Sequence, residues 1–581
     1  MRDAETPPPL ADDNSAGSAV AAPAATRPLW EKAALGVVIL ALVALRVVYL
    51  LHYRVDSDEP QHLHVVWGWA NGLLQYRDIF DNHSPLFQML CAPFFLLFSE
   101  RADIVIPMRV AMQPLYLFDL WCIYRIARRL GSSRFALWTT IAAAFYPVFF
   151  FVSTEFRTDD LWVALWLWCL ALIANGEFAG RRAFWIGVVL GASFAVSMKS
   201  SLLAGSLVLG GVVCFILHRR FGGATDGRRL GTALGLALLG VLVIPGLVIG
   251  YFATQHALPV MYQCVITHNT AIGADKLHKF AFKRFWFPIS LIVCPILGYY
   301  LLRFRGRRPD VFLQVFLLSC AAFYYNALRS FWPLITDQDY LPLAPVAIVG
   351  FAPLISWLAG RPFVSRVFGA PTAFAGVLTA LILVGEIRWM TKLAPPRDNQ
   401  ARGSILSLGA VLRLTTPTDY VMDGKGETIY RKRPFYYVLE GVTIKRIGRG
   451  LIKDDVVHSL IEKRVCVVLR HRLPKADDAW VEQHYVADAD KVWVAGSRLG
   501  PVQKSISFTT VIPADYTVIS SEGGVTGLLD GKPLQASQFL EPGQHELQIT
   551  SARGQLAVVW ARAVERGFSL FVRKKWDGGG I

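Results

Sequence analysis

Charged residues are scarce in this chain. They make up only 18% of its 581 residues, and hydrophobic residues make up 54%, whereas a soluble globular protein has about 25% charged residues. Eight cysteines are too few for a disulfide scaffold of this length, and the high apolar content excludes a disordered chain. We therefore expect much of the chain to lie in a lipid bilayer.

Two common motifs are also missing. No phosphate-binding G-x-x-x-x-G-K-[ST] sequence occurs, so coupling to ATP has no support. The first 32 residues contain no short apolar run closed by a cleavage site. They are rich in Pro, Ala, Asp and Ser, and we predict that residues 1–32 form a disordered cytoplasmic tail.

The net charge of +16 comes from 59 basic and 43 acidic residues. In a membrane protein such an excess sets the orientation of the spans, so we expect no nucleic-acid partner. Eleven apolar stretches approach the 20 or so residues that cross about 30 Å of hydrocarbon. They are residues 33–51, 104–124, 135–152, 160–176, 184–198, 200–217, 231–253, 285–302, 311–328, 340–358 and 368–389.

The arginines orient these predicted spans. With the amino terminus in the cytoplasm, the inner loops are rich in arginine, and their only acids are Glu177, Asp226 and Asp310. An odd number of spans then places the tail from about residue 390 outside. We expect a multi-pass protein of the cell inner (plasma) membrane with a periplasmic C-terminal region. The remaining apolar piece, residues 85–98, is too short to span and predicts an interfacial or re-entrant helix.

The predicted outer loops carry most groups able to do acid/base chemistry. The first of them, residues 52–85, holds nine acidic and histidine side chains between aromatic ones, as expected at a membrane surface. The second, residues 153–160, places Arg157 beside Asp159, and Lys199 stands alone among apolar neighbours. Solvated charges, local pairing of Arg157 with an aspartate and snorkelling of Lys199 are the alternative interpretations.

Four segments together resemble the GT-C superfamily of membrane glycosyltransferases, in the branch of protein O-mannosyltransferases, aminoarabinose transferases and RgtA/B/C/D-like enzymes. They are Asp58-Glu59 followed by Asn71-Gly72, Tyr76-Arg77-Asp78 and Asp81-Asn82-His83-Ser84-Pro85-Leu86; Arg157-Thr158-Asp159; Lys199; and Gln338-Asp339-Tyr340-Leu341-Pro342. Ser84 stands where the family has the first proline of its H-P-P-L-like end. The likeness covers about residues 33–390.

This resemblance implies the GT-C fold and an inverting transfer of a sugar from a polyprenyl-phosphate donor to an acceptor hydroxyl. The acceptor would be lipid A, another surface glycan or a protein. An aspartate with an ordinary pKa of about 3.9 is ionised at neutral pH and can accept the acceptor's proton, and we assign that role to Asp58. The other predicted site residues are Glu59 and Asp159 in the catalytic group, and Asp81, His83, Arg157, Lys199, Gln338 and Tyr340 in substrate binding.

No cofactor is expected, because such a donor is already activated. A divalent ion held by Asp56 and Asp58 with Asp159 is kept as an alternative. A basic loop at residues 254–284 favours an anionic acceptor and contact with membrane lipids.

The tail differs in composition from the spans. Strand-like and helical pieces predict a periplasmic α/β domain at residues 391–505, and recurrent turns predict a β-sandwich-like module at residues 506–581. The overall prediction is a polytopic α-helical membrane protein with about 11 spans at residues 33–390 and a soluble C-terminal α/β plus β-sandwich region.

Two other classes of function remain open at this stage. A transporter or flippase of a lipid-linked or anionic substrate has a similar topology, but it places ionisable groups near the bilayer midplane. The nearest candidates for such groups are Arg46, Arg109 and Asp119. A catalytically inactive scaffold would leave Asp58 without a role.

Overall fold

The computed structural model describes residues 28–270, 286–332, 335–368, 371–488 and 492–571. By its contacts the chain divides into a unit of residues 1–46, which contains most of the first helix, and a unit of residues 47–581. The cavity and the residues of the candidate site described below belong to the second unit.

The first two thirds of the described chain are helical. The helices are α1 Leu29–His52, α2 Asp58–Ala70, α3 Leu86–Phe95, α4 Val105–Ala111, α5 Gln113–Leu130, α6 Ser133–Phe145, α7 Pro147–Val152, α8 Thr158–Ala174, α9 Gly180–Val196, α10 Ser200–Arg220, α11 Gly227–Thr254, α12 Leu258–Tyr262, α13 His268–Thr270, α14 Trp286–Arg305, α15 Pro309–Phe331, α16 Leu343–Ala359, α17 Pro362–Phe368 and α18 Pro371–Leu393. A π-helical turn, Gln263–Thr267, precedes α13, and a 3-10 turn, Asp337–Tyr340, precedes α16.

Seven helical segments in the described part of the chain are long and apolar enough to cross a membrane. They are Leu29–His52, Ser200–Arg220, Gly227–Thr254, Trp286–Arg305, Pro309–Phe331, Asp337–Ala359 and Ala373–Leu393. This confirms a multi-pass membrane protein. Each of the other four predicted spans is also helical, but α8 and α9 have 17 residues each, and the other two are divided into α4–α5 and α6–α7. The number of eleven spans therefore stays a prediction.

Glycines bring α9 and α11 into close contact. A Cβ atom added to Gly191 would lie 2.3 Å from the carbonyl oxygen of Val241, and one added to Gly187 would lie 2.0 Å from that of Ala237. On α11, a Cβ atom added to Gly240 would likewise lie 2.1 Å from the carbonyl oxygen of Phe184. Small residues four apart allow helix backbones to approach in this manner in membranes.

The C-terminal region combines short helices with strands. Its helices are α19 Arg402–Leu414, α20 Gly441–Ile447, α21 Val456–Glu462, α22 Lys475–His484 and α23 Ala561–Glu565. Its strands are β1 Val421–Met422, β2 Val467–Leu469, β3 Tyr485–Ala487, β4 Val492–Pro501, β5 Ser505–Thr510, β6 Ala514–Ser520, β7 Thr526–Leu529, β8 Lys532–Pro533, β9 Gln538–Leu540, β10 Gly543–Ser551 and β11 Gln555–Trp560.

These strands form two sheets. In the described residues, one sheet has the order β1-β2-β4-β11-β6-β9 with β3 paired to β4, and the other has the order β5-β10-β7-β8. This longer sheet contains six pairs of neighbouring strands in the described residues, and only the β1–β2 pair is parallel. Strands from both sides of residue 505 share the longer sheet and one hydrophobic core. A division into domains at that residue stays a prediction.

Candidate functional site

A cavity of about 1260 Å³ brings together loops that are far apart in the sequence. Apolar residues of α7 and α18 form part of its wall, including Phe151, Leu381 and Trp389. The polar part of the wall comes from the loops before α2, α3, α8, α10 and α16 and from the C-terminal region. The same space is therefore bordered by hydrocarbon side chains and by ionisable groups.

Arg157 lies among the ionisable groups and is almost completely buried. It caps α8 with an extended backbone, so its side chain reaches back towards the first loop. Its guanidinium binds the carboxylates of Asp56 at 2.7 Å, Glu155 at 3.1 Å and Asp159 at 3.3 Å, and also that of Asp58. Local pairing with Asp159 or Asp160 was the simple alternative at the sequence level; in the structure Arg157 binds four carboxylates.

Asp58 is the first residue of α2 and lines the cavity. One carboxylate oxygen binds Arg157 and the other binds the ammonium group of Lys425. Burial alone would raise the pKa of Asp58, but the charges of Arg157 and Lys425 outweigh burial and hold this pKa well below its usual range. Asp58 is therefore an ionised carboxylate held between two cations.

Lys199 joins two predicted segments of the site. It precedes α10 and lines the cavity, and its ammonium nitrogen lies 2.5 Å from Asp339 and 3.7 Å from Asp159. It also lies 5.6 Å from the centre of the Trp162 ring, within the range of a cation–π contact. Snorkelling therefore does not describe this lysine, which is bound by two carboxylates.

Only part of the motif at residues 338–342 lies at the cavity. Gln338 lines the cavity, and Asp339 binds Lys199 while it closes the cap of the 3-10 turn with Thr336. Tyr340 is not among the residues that line the cavity, and its ring lies 6.4 Å from that of Tyr325.

Asp81 and His83 act as a pair at the end of the first loop. Asp81 is fully buried and accepts hydrogen bonds from the side chains of Gln61, Gln75 and Gln88. It also binds Nδ1 of His83 at 2.8 Å, and His83 lines the cavity. Burial alone would lower the pKa of His83, but the Asp81 carboxylate reverses this effect and raises the pKa. Asp81 thus positions His83 and does not itself reach the cavity.

Glu59 lies behind the cavity wall. It is completely buried and binds Arg109 through both carboxylate oxygens, at 2.7 and 2.6 Å, and it accepts a hydrogen bond from the backbone of Phe156 at 2.7 Å. These contacts tie the first loop to α4 and to the loop before α8. A structural role therefore accounts for the place of Glu59, which we had grouped with the catalytic residues.

The residues considered for a divalent ion have another partner. Asp56, Asp58 and Asp159 all bind Arg157, so a guanidinium already lies among them where an ion would have to bind. Within the described ranges, His62, Asp81 and His83 have the spacing of a metal site, with ligand atoms within 4.8 Å of one another. The three amide donors on Asp81 compete with an ion there, because each already occupies one of its lone pairs.

The C-terminal region contributes residues that sequence reasoning missed. Lys425, Glu440 and Arg472 all line the cavity. Glu440 accepts a hydrogen bond from Asn82 at 2.9 Å, and Arg431 binds Glu100 at 2.7 Å. No local pattern marks these residues, because they meet their partners only through contacts between distant parts of the chain.

The basic loop and two of the cysteines complete the comparison with the sequence. The basic residues Lys276, His278, Lys279, Lys283 and Arg284 of the loop at 254–284 lie outside the described residues. Cys264 and Cys466, both in segments predicted to lie outside the membrane, are free.

Comparisons with known proteins give a family match over part of the chain and similar solved structures. The family model described as "Dolichyl-phosphate-mannose-protein mannosyltransferase" matches residues 82–249. The crystal structure of ArnT from Cupriavidus metallidurans bound to undecaprenyl phosphate is similar with a TM-score of 0.50 and 14% identity, over 80% of this chain and 98% of that one. The archaeal oligosaccharyltransferase AglB from Archaeoglobus fulgidus gives a TM-score of 0.41 and 11% identity, over 76% and 70%. No curated protein matches the sequence.

Proposed function

We propose that the chain is a membrane glycosyltransferase of the GT-C superfamily, as the partial family match and the similar fold support, and that it moves a sugar from a polyprenyl-phosphate donor to an acceptor hydroxyl. The acceptor is a lipid, a surface glycan or a protein, and the transfer inverts the anomeric centre. We further propose that the reaction occurs at the outer face of the cell inner membrane, with the amino terminus in the cytoplasm and the C-terminal region in the periplasm.

The observation that carries this proposal is that the cavity has both an apolar wall and a charged wall. A polyprenyl-phosphate sugar has a long hydrocarbon tail, a charged phosphate and a polar sugar. The walls from α7 and α18 suit the tail, while Arg157, Lys199 and Asp58 border the same space. In ArnT, a fold neighbour, the bound ligand is undecaprenyl phosphate.

Asp58 is the proposed general base. Its carboxylate lines the cavity in ionised form and can accept the proton of the acceptor hydroxyl as the oxygen attacks the anomeric carbon. A low pKa makes a carboxylate a weak base. The donor phosphate would attract the cationic side chains of Arg157 and Lys425 and so weaken their interaction with Asp58. This raises the pKa of Asp58 when the donor is bound.

Arg157 and Lys199 are the proposed stabilisers of the leaving phosphate. Both cations line the cavity and are held by buried carboxylates, so they are positioned before the substrate arrives. Charge-assisted contacts of this kind are most effective where they meet charge that develops in the transition state. Asp159 contacts both cations and holds them side by side. His83 and Gln338 are placed to contact the sugar or the acceptor.

One observation that favoured a transporter was an ionisable residue within a predicted span. Arg109, a candidate for an ionisable group within the membrane, is bound by Glu59 and is fully buried. Its charge therefore already has a structural partner.

Release of polyprenyl phosphate tests the proposal directly. Membranes that contain the protein and native acceptor would be incubated with a panel of polyprenyl-phosphate sugars. Release from one donor, dependent on the acceptor, is the expected result and identifies the sugar. No release from any donor, with the acceptor confirmed present, would contradict the proposal, and uptake of the same donors into vesicles would then test transport.

A further inference from the structure

Five lysine and arginine side chains line the cavity, and four of them are neutralised. Lys425 and Arg157 bind Asp58, Lys199 binds Asp339, and Arg54 binds Asp56 at 2.8 Å. Arg472 is the fifth. Its side chain is exposed and makes no ion pair or hydrogen bond with the residues that the structure describes.

The backbone at Arg472 is unusual. The residue follows β2 in a turn and has φ = +62°, a left-handed conformation that costs a non-glycine residue of order 1 kcal/mol or more. The turn packs closely on the loop that carries Lys425. A Cβ atom added to Gly424 would lie 2.5 Å from the carbonyl oxygen of His471 and 3.3 Å from Cβ of Arg472. Arg472 is thus held next to the Lys425–Asp58 ion pair.

We propose that Arg472, together with Lys425, binds a phosphate group of a substrate in the cavity. A guanidinium offers a planar pair of N–H donors that matches two phosphate oxygens, and Arg472 binds no carboxylate of the described residues from which it must first be released. This inference rests on the proposed function and adds a substrate-binding role for the C-terminal region. The phosphate belongs either to the donor or to a phosphorylated acceptor.

Steady-state kinetics separates the two sources. Arg472→Gly removes the guanidinium and relieves the backbone strain, and Arg472→Lys keeps the charge. The matched control is Arg464→Gly, because Arg464 is also exposed and left-handed, with φ = +50°, and does not line the cavity. We expect the KM of one substrate to rise about tenfold in Arg472→Gly, the size of one charge-assisted contact, with kcat little changed. Arg472→Lys should recover part of the loss.

The substrate whose KM rises identifies the source of the phosphate. A rise for the lipid donor alone assigns the contact to the donor, and a rise for a phosphorylated acceptor alone assigns it to the acceptor. Unchanged KM values for both substrates, or an equal rise in Arg464→Gly, would overturn the inference.

A binding measurement keeps the test independent of turnover. Inorganic phosphate would be titrated into the purified full-length protein at constant ionic strength. We expect the Kd to be at least about fivefold weaker in Arg472→Gly than in the wild type and in Arg464→Gly. If no donor is turned over but this difference is found, the proposed function fails and the phosphate site stands. Equal Kd values in all three proteins would overturn the phosphate site, whatever the transfer assay shows.

Discussion

Lys425 of the C-terminal region and Asp58 at the start of α2 form an ion pair across 367 residues of sequence. The lysine side chain is 6% exposed, so the contact is largely protected from solvent. Beside it, Gly426 packs on Gln61 and His64 of α2, and His64 bonds to the carbonyl oxygen of Ile429 at 2.8 Å. The loop that carries Lys425 therefore forms part of the site wall and also sets the charge around Asp58.

Loss of Lys425 should change the pH dependence of transfer. In Lys425→Met, one of the two cations that keep the pKa of Asp58 low is gone, so the acid limb of the kcat/KM profile should move to higher pH. Kinetics between pH 4 and 8 would check this, with Lys463→Met as a control because Lys463 is exposed and pairs with its neighbour Glu462. An acid limb at the wild-type position would show that Lys425 does not act on the reacting carboxylate.

The same variant should be less stable. Asp58 has a lowered pKa in the folded protein, so its ion pairs stabilise the fold above the unfolded pKa of about 3.9, and this contribution is lost as the pH falls through the lower folded value. At pH 7, Lys425→Met should lose about 2 kcal/mol, the size of a hydrogen bond between charged groups. Thermal unfolding in detergent at pH 7 and pH 4 would measure this. A deficit at pH 4 larger than that at pH 7 would contradict the assignment, because the contact with ionised Asp58 is fully formed at pH 7 and can only weaken as the pH falls.

Glu59 is expected to be essential for folding and not for the chemical step. Glu59→Ala leaves the Arg109 guanidinium buried without its carboxylate partner, a change that costs about 3–5 kcal/mol. The double variant Glu59→Leu/Arg109→Met should recover most of the thermal stability, because both members of the buried ion pair are removed together. Normal stability of Glu59→Ala together with loss of transfer would restore Glu59 to the catalytic group.

Close packing of α9 on α11 predicts that a larger side chain at this contact destabilises the protein. Gly191→Val places a side chain against the backbone of Val241 and should destabilise the helix pair by about 3 kcal/mol. Gly205→Val in α10 is the matched control, since nothing lies within 4 Å of the Cβ atom it would add. Detergent-solubilised yield and melting temperature would be compared. Equal values for the two variants would argue against the α9–α11 contact.

Local patterns in the sequence predicted the helices and part of the site. Apolar runs indicated where α10, α11, α14 and α15 lie, because crossing a bilayer requires a long apolar segment. The motifs containing Asp58, Arg157 and Lys199 indicated polar groups that meet in one cavity. The division of other segments into short helices, such as α4 and α5, was not predicted, because a break in a helix leaves the apolar pattern almost unchanged.

The long-range partners could not be predicted. Lys425 and Arg472 are ordinary basic residues of a mixed-composition region, and only the folded chain brings them to the cavity. For Glu59, the acidic pair at the start of α2 gave no means of telling which carboxylate faces the cavity. The helix settles this, because successive residues point about 100° apart, so Asp58 faces the cavity and Glu59 faces Arg109.

The rate of polyprenyl phosphate release in Asp58→Asn tests the central claim most directly. Asparagine keeps the size of the side chain but cannot accept the proton of the acceptor hydroxyl. The matched control is Asp78→Asn, since Asp78 lies in the same loop, pairs with its exposed neighbour Arg77 and does not line the cavity. We predict that Asp58→Asn abolishes release while expression and membrane insertion stay at wild-type levels, and that Asp78→Asn remains active. Turnover of Asp58→Asn at the wild-type rate would contradict the assignment of the base.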